Sequence, residues 1–540
     1  MPSIRSRGTD PPAGLPPRRE PVSLARNLTA SAGAKAFYVL TRFFIPPLVL
    51  AHISLEEYGI WSACFVLVGY VGMTTFGVSN VYIRYAARYQ ARGEQHRIAE
   101  MFTTGVTTTL AIGLVVLAGL GFLLPSLVRW FKVSPPLQER AAHLFLATVA
   151  VFVADLSLGA AAYLLHGLQR IALANVIWSV AVTVETLSIV LLLWLGWGVW
   201  ALLAALVVRY TISIGASWIA CRRLVPGLGL HPRSFRREYL KEFVRYGGIV
   251  QASGMLSMFL RSIEKLIAGV TLGAPAAGLM DLGEKLPGTA VSIPSAMNAA
   301  LLPAAAHLDG GDRRAEVVAL YVEGTRTVNL CTSFVMGFLA AFAWPLVVAW
   351  LGRRPETDVI ALIMAVFTLP WHVNVVTGPA SSVFRAIGEP ARELFYPVSQ
   401  LLLVAAAVGI GFTWSTPSLA VISFAVGSAM VASALLYLAY ASHRLGVGQG
   451  RMARRTLLPG LVPYAVAGAL LVAARPWLAG SLADRWSAVA LLAPAGLAYV
   501  ALTAAVLHRF VLDDAERAAV RRLYSRVAVP DVLRPRTEGA

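Results

Sequence analysis

Six charged side chains, Arg261, Glu264, Lys265, Asp281, Glu284 and Lys285, lie between Met258 and Lys285 in segments otherwise apolar enough to sit in a lipid bilayer. A charge at membrane depth costs about 2.5 to 3.5 kcal/mol, so it is kept where it faces a water-filled cavity or a partner. Arg261 and Lys265 are spaced i, i+4 on one helix face, with Glu264 beside them. Upstream, Lys35 and Arg42 also share a face. In a helix that begins near Leu28, Arg42 lies about 21 Å deep. Arg42, Arg261, Lys265 and Lys285 suit a phosphate or diphosphate, because arginine offers a planar fork of donors and lysine a mobile point charge. Lys35, nearer one surface, either joins them or snorkels out.

The carboxylates Glu264, Asp281 and Glu284 admit two roles. Desolvation favours a protonated carboxyl and neighbouring cations a charged one, so the charge can follow which side of a cavity is open. That makes the three candidate proton or sodium sites. Equally, they are counter-ions, and the six charges then form neutralising pairs that fix helix packing. A separate set, Asp155, Glu185 and Arg209, falls near the middle of three other apolar segments and reads as a buried network locking a bundle.

Other chemistry finds little support. Cys64, Cys221 and Cys331 have no metal-ligand spacing, and the short polar connections lack a GxxxxGK[ST] phosphate loop. No catalytic residue, metal site or cofactor is expected. The formal charge of +18 is distributed by topology, which argues against a nucleic-acid partner.

The elements that must hold these charges are membrane helices. Of the 540 residues 57% are hydrophobic and only 14% charged, with a mean hydropathy of +0.67. Apolar blocks of about 18 to 25 residues match the bilayer core, which gives an all-α polytopic membrane protein. Fourteen spans are expected, near 28–50, 59–82, 102–124, 142–165, 171–195, 199–220, 247–271, 277–303, 325–350, 358–383, 395–413, 418–440, 457–474 and 487–507. Pro46, Pro47, Pro287, Pro294, Pro303, Pro345 and Pro370 lie in or beside them, where bends open cavities or act as hinges.

Orientation follows from basic residues. Of the 46 Lys and Arg, 32 fall in the tails and connections that one orientation places inside, 7 in the opposite loops and 7 within helices. Both termini are therefore expected in the cytoplasm. Trp130, Trp197, Trp200, Trp350, Trp414, Trp477 and Trp486 then mark the outer interface. The proline-rich residues 1–24 read as a disordered tail. Residues 25–220 form a first lobe, 221–245 a basic linker, 246–442 a second lobe, 443–510 two added helices and 511–540 a tail with an amphipathic start. Arg84 to Arg92 reads as a short helix on the inner leaflet, drawn to anionic headgroups.

Arg42 aligns with Arg261 and Gly59 with Gly278 at an offset of 219, and the turn Gly167–Arg170 with Gly388–Ala391 at 221. Six helices per copy insert the same way round, so the expected relation is a pseudo-two-fold along the membrane normal with the site between the halves.

Residues Leu55-Glu56-Glu57-Tyr58-Gly59-Ile60-Trp61, Phe76-Gly77-Val78, Arg84-Tyr85 and Tyr89-Gln90-Ala91-Arg92-Gly93-Glu94, with Ala277-Gly278-Leu279-Met280 and Phe384-Arg385-Ala386-Ile387-Gly388 in the second copy, give the chain a resemblance over roughly 25–510. It resembles the polysaccharide-transport branch of the multidrug, oligosaccharidyl-lipid and polysaccharide exporter superfamily, the oligosaccharide-lipid flippases. Ala277 departs from the pattern, since Tyr58 precedes Gly59 in the first copy.

The resemblance implies two six-helix lobes around a central cavity, two C-terminal helices and alternating access in a bacterial inner membrane. The implied substrate is a polyprenyl-pyrophosphate-linked oligosaccharide for exopolysaccharide, capsule or O-antigen assembly. Lys35, Arg42 and Arg261 look similar to cavity cations thought to hold the pyrophosphate. Membrane lipids and a polysaccharide polymerase or export machinery are the other expected partners. Two rival readings stand. A multidrug/cation antiporter of the same superfamily wants an acid-rich cavity. A membrane-embedded glycan polymerase or ligase wants a larger outer loop than the expected maximum of about 16 residues.

Overall fold

The computed structural model describes residues 41, 43–72, 78–231, 234–242, 256–257, 259–311, 313–481, 484–514 and 516–518. Lys35 and Arg42 lie outside them, as do residues 1–40 and 519–540. Among the described residues every regular element is helical. A helical stretch over 43–49 leads to α1 (Leu55–Gly72), α2 (Val78–Ala91), α3 (Gln95–Trp130), α4 (Gln138–Leu158), α5 (Ala160–Gly167), α6 (Ile171–Trp194) and α7 (Trp200–Leu224). After α8 (Arg237–Glu242) come α9 (Ile263–Leu272), α10 (Ala274–Ala290), α11 (Ser292–Gly310), α12 (Arg314–Ala341), α13 (Ala343–Leu351), α14 (Thr357–Val376), α15 (Gly378–Ala386), α16 (Phe395–Trp414) and α17 (Leu419–Arg444). Helices α18 (Leu461–Ser481) and α19 (Arg485–Val506) close the order.

Nine helical segments among the described residues are long and apolar enough to cross a membrane, eleven if each of two bent pairs is one span. The other three expected spans, 28–50, 59–82 and 247–271, run into residues outside the description, so the structure is compatible with fourteen. The bends are 48° between α10 and α11 and 76° between α12 and α13. Each has a proline cause. Pro294 and Pro345 cannot donate to the carbonyls of Ala290 and Ala341, the last residues of α10 and α12. Pro287, Pro303 and Pro370 stay inside continuous helices, as membrane neighbours permit.

The internal repeat holds at one spacing. Helices α1, α3, α4 and α7 begin 219 residues before α10, α12, α14 and α17. The left-handed residues that end two helices in each copy keep step, Gln169 (φ 60°) with Gly388 (φ 78°) and Gly227 (φ 81°) with Gly446 (φ 73°). This corrects the turn alignment at 221. The helix-ending left-handed position, where glycine or a tolerant polar residue sits, pairs Gln169 with Gly388 at 219.

The copies meet where α1 crosses α10. A Cβ on Gly59 would lie 1.9 Å from the Ala274 carbonyl oxygen, and one on Gly278 would lie 3.1 Å from the Gly59 Cα. Two repeat-related glycines thus let two backbones touch. The Ala274 N–H donates to the Phe131 carbonyl at 2.8 Å across this seam. Trp350 Nε1 donates to the Phe43 carbonyl at 2.6 Å and Arg354 Nη2 to the Leu50 carbonyl at 3.2 Å. One apolar core runs through the seam from Val49 to Met430, and each copy has a further core of its own.

Two surface expectations change. Helix α2 is not a free interfacial helix. Its Tyr82, Ala86 and Tyr89 are buried against Phe102, Leu164 and Leu165, which leaves Arg88 and Arg92 outward. The start of the C-terminal tail is tied down, because buried Arg326 on α12 pairs with Glu516 at 2.6 Å and donates to the Val511 and Arg455 carbonyls. Those carbonyls belong to π-helical turns, Met452–Leu457 and Leu507–Val511, that flank α18 and α19. Asn329 Nδ2 donates to the Thr456 carbonyl at 2.7 Å and Asn329 Oδ1 accepts from His372 Nε2 at 2.8 Å, so the C-terminal pair is held to the second copy by polar contacts.

Candidate functional site

Beside the glycine crossing lies a cavity of about 620 Å³ walled by both copies. Its charged face is built on the hairpin of α9 and α10, which turns at Gly273 (φ 101°). That turn brings Lys265 on α9 level with Asp281 on α10, and one helical turn later Lys285 reaches the same carboxylate. Lys265 Nζ sits 2.8 Å from Asp281 Oδ1 and Lys285 Nζ 2.7 Å from Oδ2. The Tyr58 hydroxyl, from the other copy, donates to Oδ2 at 2.7 Å. One carboxylate is shared by two ammonium groups and a phenol, so the cluster keeps an excess positive charge facing the cavity.

Arg261 lines the same cavity and is exposed to it, its guanidinium 5.8 Å from the centre of the Trp371 ring. Glu264 and Glu284 are buried and interact with each other. They border a second cavity of about 230 Å³ inside the second copy, and Arg261, Glu284 and Trp371 form the partition between the two spaces. The six charges of the opening cluster therefore divide: all but Glu264 face the larger cavity.

Arg209 keeps its expected pairing and takes a second place as well. It pairs with Glu185 at 3.4 Å, yet it also lines the larger cavity opposite Lys265 and Lys285. Among the described residues Arg209 makes its contact ion pair with Glu185 on α6, while Asp155, in the last turn of α4, is near enough to feel the Arg209 charge. Lys35 and Arg42 lie outside the described residues.

Sequence reasoning missed Trp371, Tyr70 and the role of Tyr58. The repeat held a signal: 219 residues before Trp371 stands Phe152, and both line the cavity. It also passed over Arg326, one of the seven cations within helices. Among the described residues no group of three or more His, Cys, Asp or Glu is placed to hold a metal ion. The arrangement suits an elongated polar ligand with an anionic part, held between lobes.

A family model described as "Polysaccharide biosynthesis protein" matches residues 49–357. No curated protein matches the chain. Among solved structures, the fold is similar to an inward-facing multidrug resistance MATE family transporter of the MOP superfamily, at TM-score 0.65 and 15% identity over 78% of this chain and 98% of that one. It is similar to the lipid II flippase MurJ in an inward closed conformation, at TM-score 0.65 and 11% identity over 89% and 98%. It is also similar to a MOP superfamily transporter from Pyrococcus furiosus, at TM-score 0.53 and 15% identity over 80% and 95%. At these identities the likenesses establish the fold. The family match, over more than half of its length, shows that the chain belongs to the polysaccharide biosynthesis protein family, and its fold is that of the MOP superfamily transporters.

Proposed function

We propose that this protein is a flippase that moves a polyprenyl-pyrophosphate-linked oligosaccharide across the bacterial inner membrane by alternating access, for exopolysaccharide, capsule or O-antigen assembly. The observation that carries the reading is the charge of the larger cavity, where, among the described residues that line it, Arg209, Arg261, Lys265 and Lys285 stand against Asp281 and Glu284, and Arg209 is paired with Glu185 behind the wall. A diphosphate meets donors with fork and point geometry there, while the glycan shares the cavity and the polyprenyl tail stays in lipid. Lys35 and Arg42, which lie outside the described residues, are the further cations of this proposed set. The lobes, residues 25–220 and 246–442, rock about the α1–α10 seam, and 443–510 moves with the second lobe. The termini are cytoplasmic, and the glycan passes outside to a polymerase or export machinery.

Glu264, Asp281 and Glu284 are either the ion-coupling groups of this cycle or counter-ions that position the cations. The likeness to a multidrug transporter keeps drug/cation antiport as a second reading. A cationic cargo would be repelled by four cations facing two acids. Reconstitution in liposomes with a labelled lipid-linked oligosaccharide separates the readings. Leaflet exchange without covalent change is expected. Efflux of a cationic dye with no lipid exchange would overturn the flippase, and growth of the glycan chain would mark a polymerase.

A further inference from the structure

Away from the lysines, the wall of the larger cavity becomes aromatic, with Trp61, Phe65, Tyr70, Phe152, Tyr210 and Trp371 turned to it. A phosphate gains little from ring faces, whereas the C–H face of a ligand ring packs on them. On the same wall, two buried polar atoms lack a hydrogen-bond partner among the described residues, the Tyr70 hydroxyl and Trp371 Nε1, and the Glu284 carboxyl lines the partition together with Trp371. Buried polar atoms left unpaired are costly, and such a concentration beside a cavity calls for a ligand that pairs them.

The mixture of these atoms selects the ligand class. Phosphate oxygens accept hydrogen bonds and would suit Trp371 Nε1, but they have no apolar face to set against the rings around it. A cation suits the carboxylates and has nothing to give an indole N–H, which only donates. A sugar hydroxyl both donates and accepts, and its ring offers the apolar face that aromatic side chains take. Trp371 also carries the Arg261 guanidinium over its ring at 5.8 Å.

We propose that Tyr70, Trp371 and Glu284 read the sugar bonded directly to the diphosphate, so that the cavity selects the reducing-end residue of the glycan as well as its lipid carrier. This rests on the flippase reading for the position of the diphosphate beside Arg261. A donor and acceptor set next to the anion-holding cations fits a headgroup in which a neutral ring follows a charged link.

The test is equilibrium binding to the purified full-length protein of three probes: bare polyprenyl diphosphate, the same lipid carrying each of a panel of neutral mono- to trihexosides, and the free oligosaccharides. At least one glycolipid is expected to bind about tenfold more tightly than the bare lipid. Trp371→Leu should bring that ratio close to one, and Tyr70→Phe and Trp371→Phe, which keep a ring in place, should lower it about threefold. If no glycolipid binds better than bare lipid, or if the ratio survives Trp371→Leu and Tyr70→Phe, the sugar-reading role is overturned. If bare lipid fails to bind while a free oligosaccharide binds in a Trp371-dependent way, the diphosphate reading fails and the sugar site stands.

Discussion

The two copies of the repeat keep the same helical punctuation and carry different chemistry. At the 219-residue offset, Glu264, Lys265, Asp281, Glu284 and Lys285 have Ile45, Pro46, Ser62, Phe65 and Val66 as counterparts, and only Arg261 has a charged one, Arg42. Arg209 faces Ser428 in the same register. What the copies share is where helices begin, where they end in a left-handed residue, and the glycines that touch at the seam. Duplication thus supplied a symmetric frame, which rocking lobes need. The charges were then placed mostly on the second copy, with Tyr58 and Arg209 reaching in from the first, while the first copy supplies most of the aromatic wall. A lipid-linked glycan is itself asymmetric, charged at one link and neutral beyond it, and a one-sided cavity suits it.

The largest expected effect comes from breaking the charged side alone. Asp281→Ala leaves the ammonium groups of Lys265 and Lys285 without their shared carboxylate in a mostly buried setting, at a cost of about 3 kcal/mol. Thermal unfolding in detergent should show a clear drop that Lys265→Met partly restores in the double variant. Ser62→Ala, at the matching position of the first copy, should change stability far less. Equal losses at both positions would erase the proposed division of labour.

The symmetric frame is tested at its glycines. Gly59→Ala forces a Cβ against a carbonyl oxygen, and Gly278→Ala a milder contact with the Gly59 Cα. Overpacking of this kind costs about 1 to 3 kcal/mol. Gly59 should be the more sensitive of the two, read as unfolding temperature together with transport rate. A Gly59→Ala protein of unchanged stability would show that the seam does not depend on backbone contact.

The smallest effect is expected in the ion dependence that the acids confer. Glu264→Gln, Asp281→Asn and Glu284→Gln, measured for transport across a pH and sodium series, should shift the ion dependence of at least one variant by a few fold if the second copy drives the cycle. Unchanged dependence in all three would leave them as counter-ions only.

Much of this was legible from residue types. Apolar blocks announced the spans, and charges too costly for lipid announced the cavity, because both follow from solvation alone. Asp281 between two lysines was foreseeable as a cluster, yet its Tyr58 partner was not, since that contact depends on how α1 crosses α10. Arg209 was assigned to a lock because its depth is visible in sequence and its facing direction is not. The C-terminal pair was read as an appendage. Its attachment through Arg326 and Asn329 arises from carbonyls freed by π-helical turns, which have no sequence period of their own. Gln169 hid the repeat register, because a non-glycine residue occupies a left-handed position there.

The central claim is that cavity cations hold the diphosphate during exchange between leaflets. Among the described residues Arg261 has no carboxylate within ion-pairing distance, and its removal strands no partner in a buried ion pair. Arg261→Ala should therefore fold like the parent. In liposomes carrying labelled polyprenyl-diphosphate oligosaccharide, its exchange rate is expected to fall about tenfold or more, the worth of a charge-assisted contact. A folded Arg261→Ala protein that exchanges the lipid at the parental rate would contradict the account.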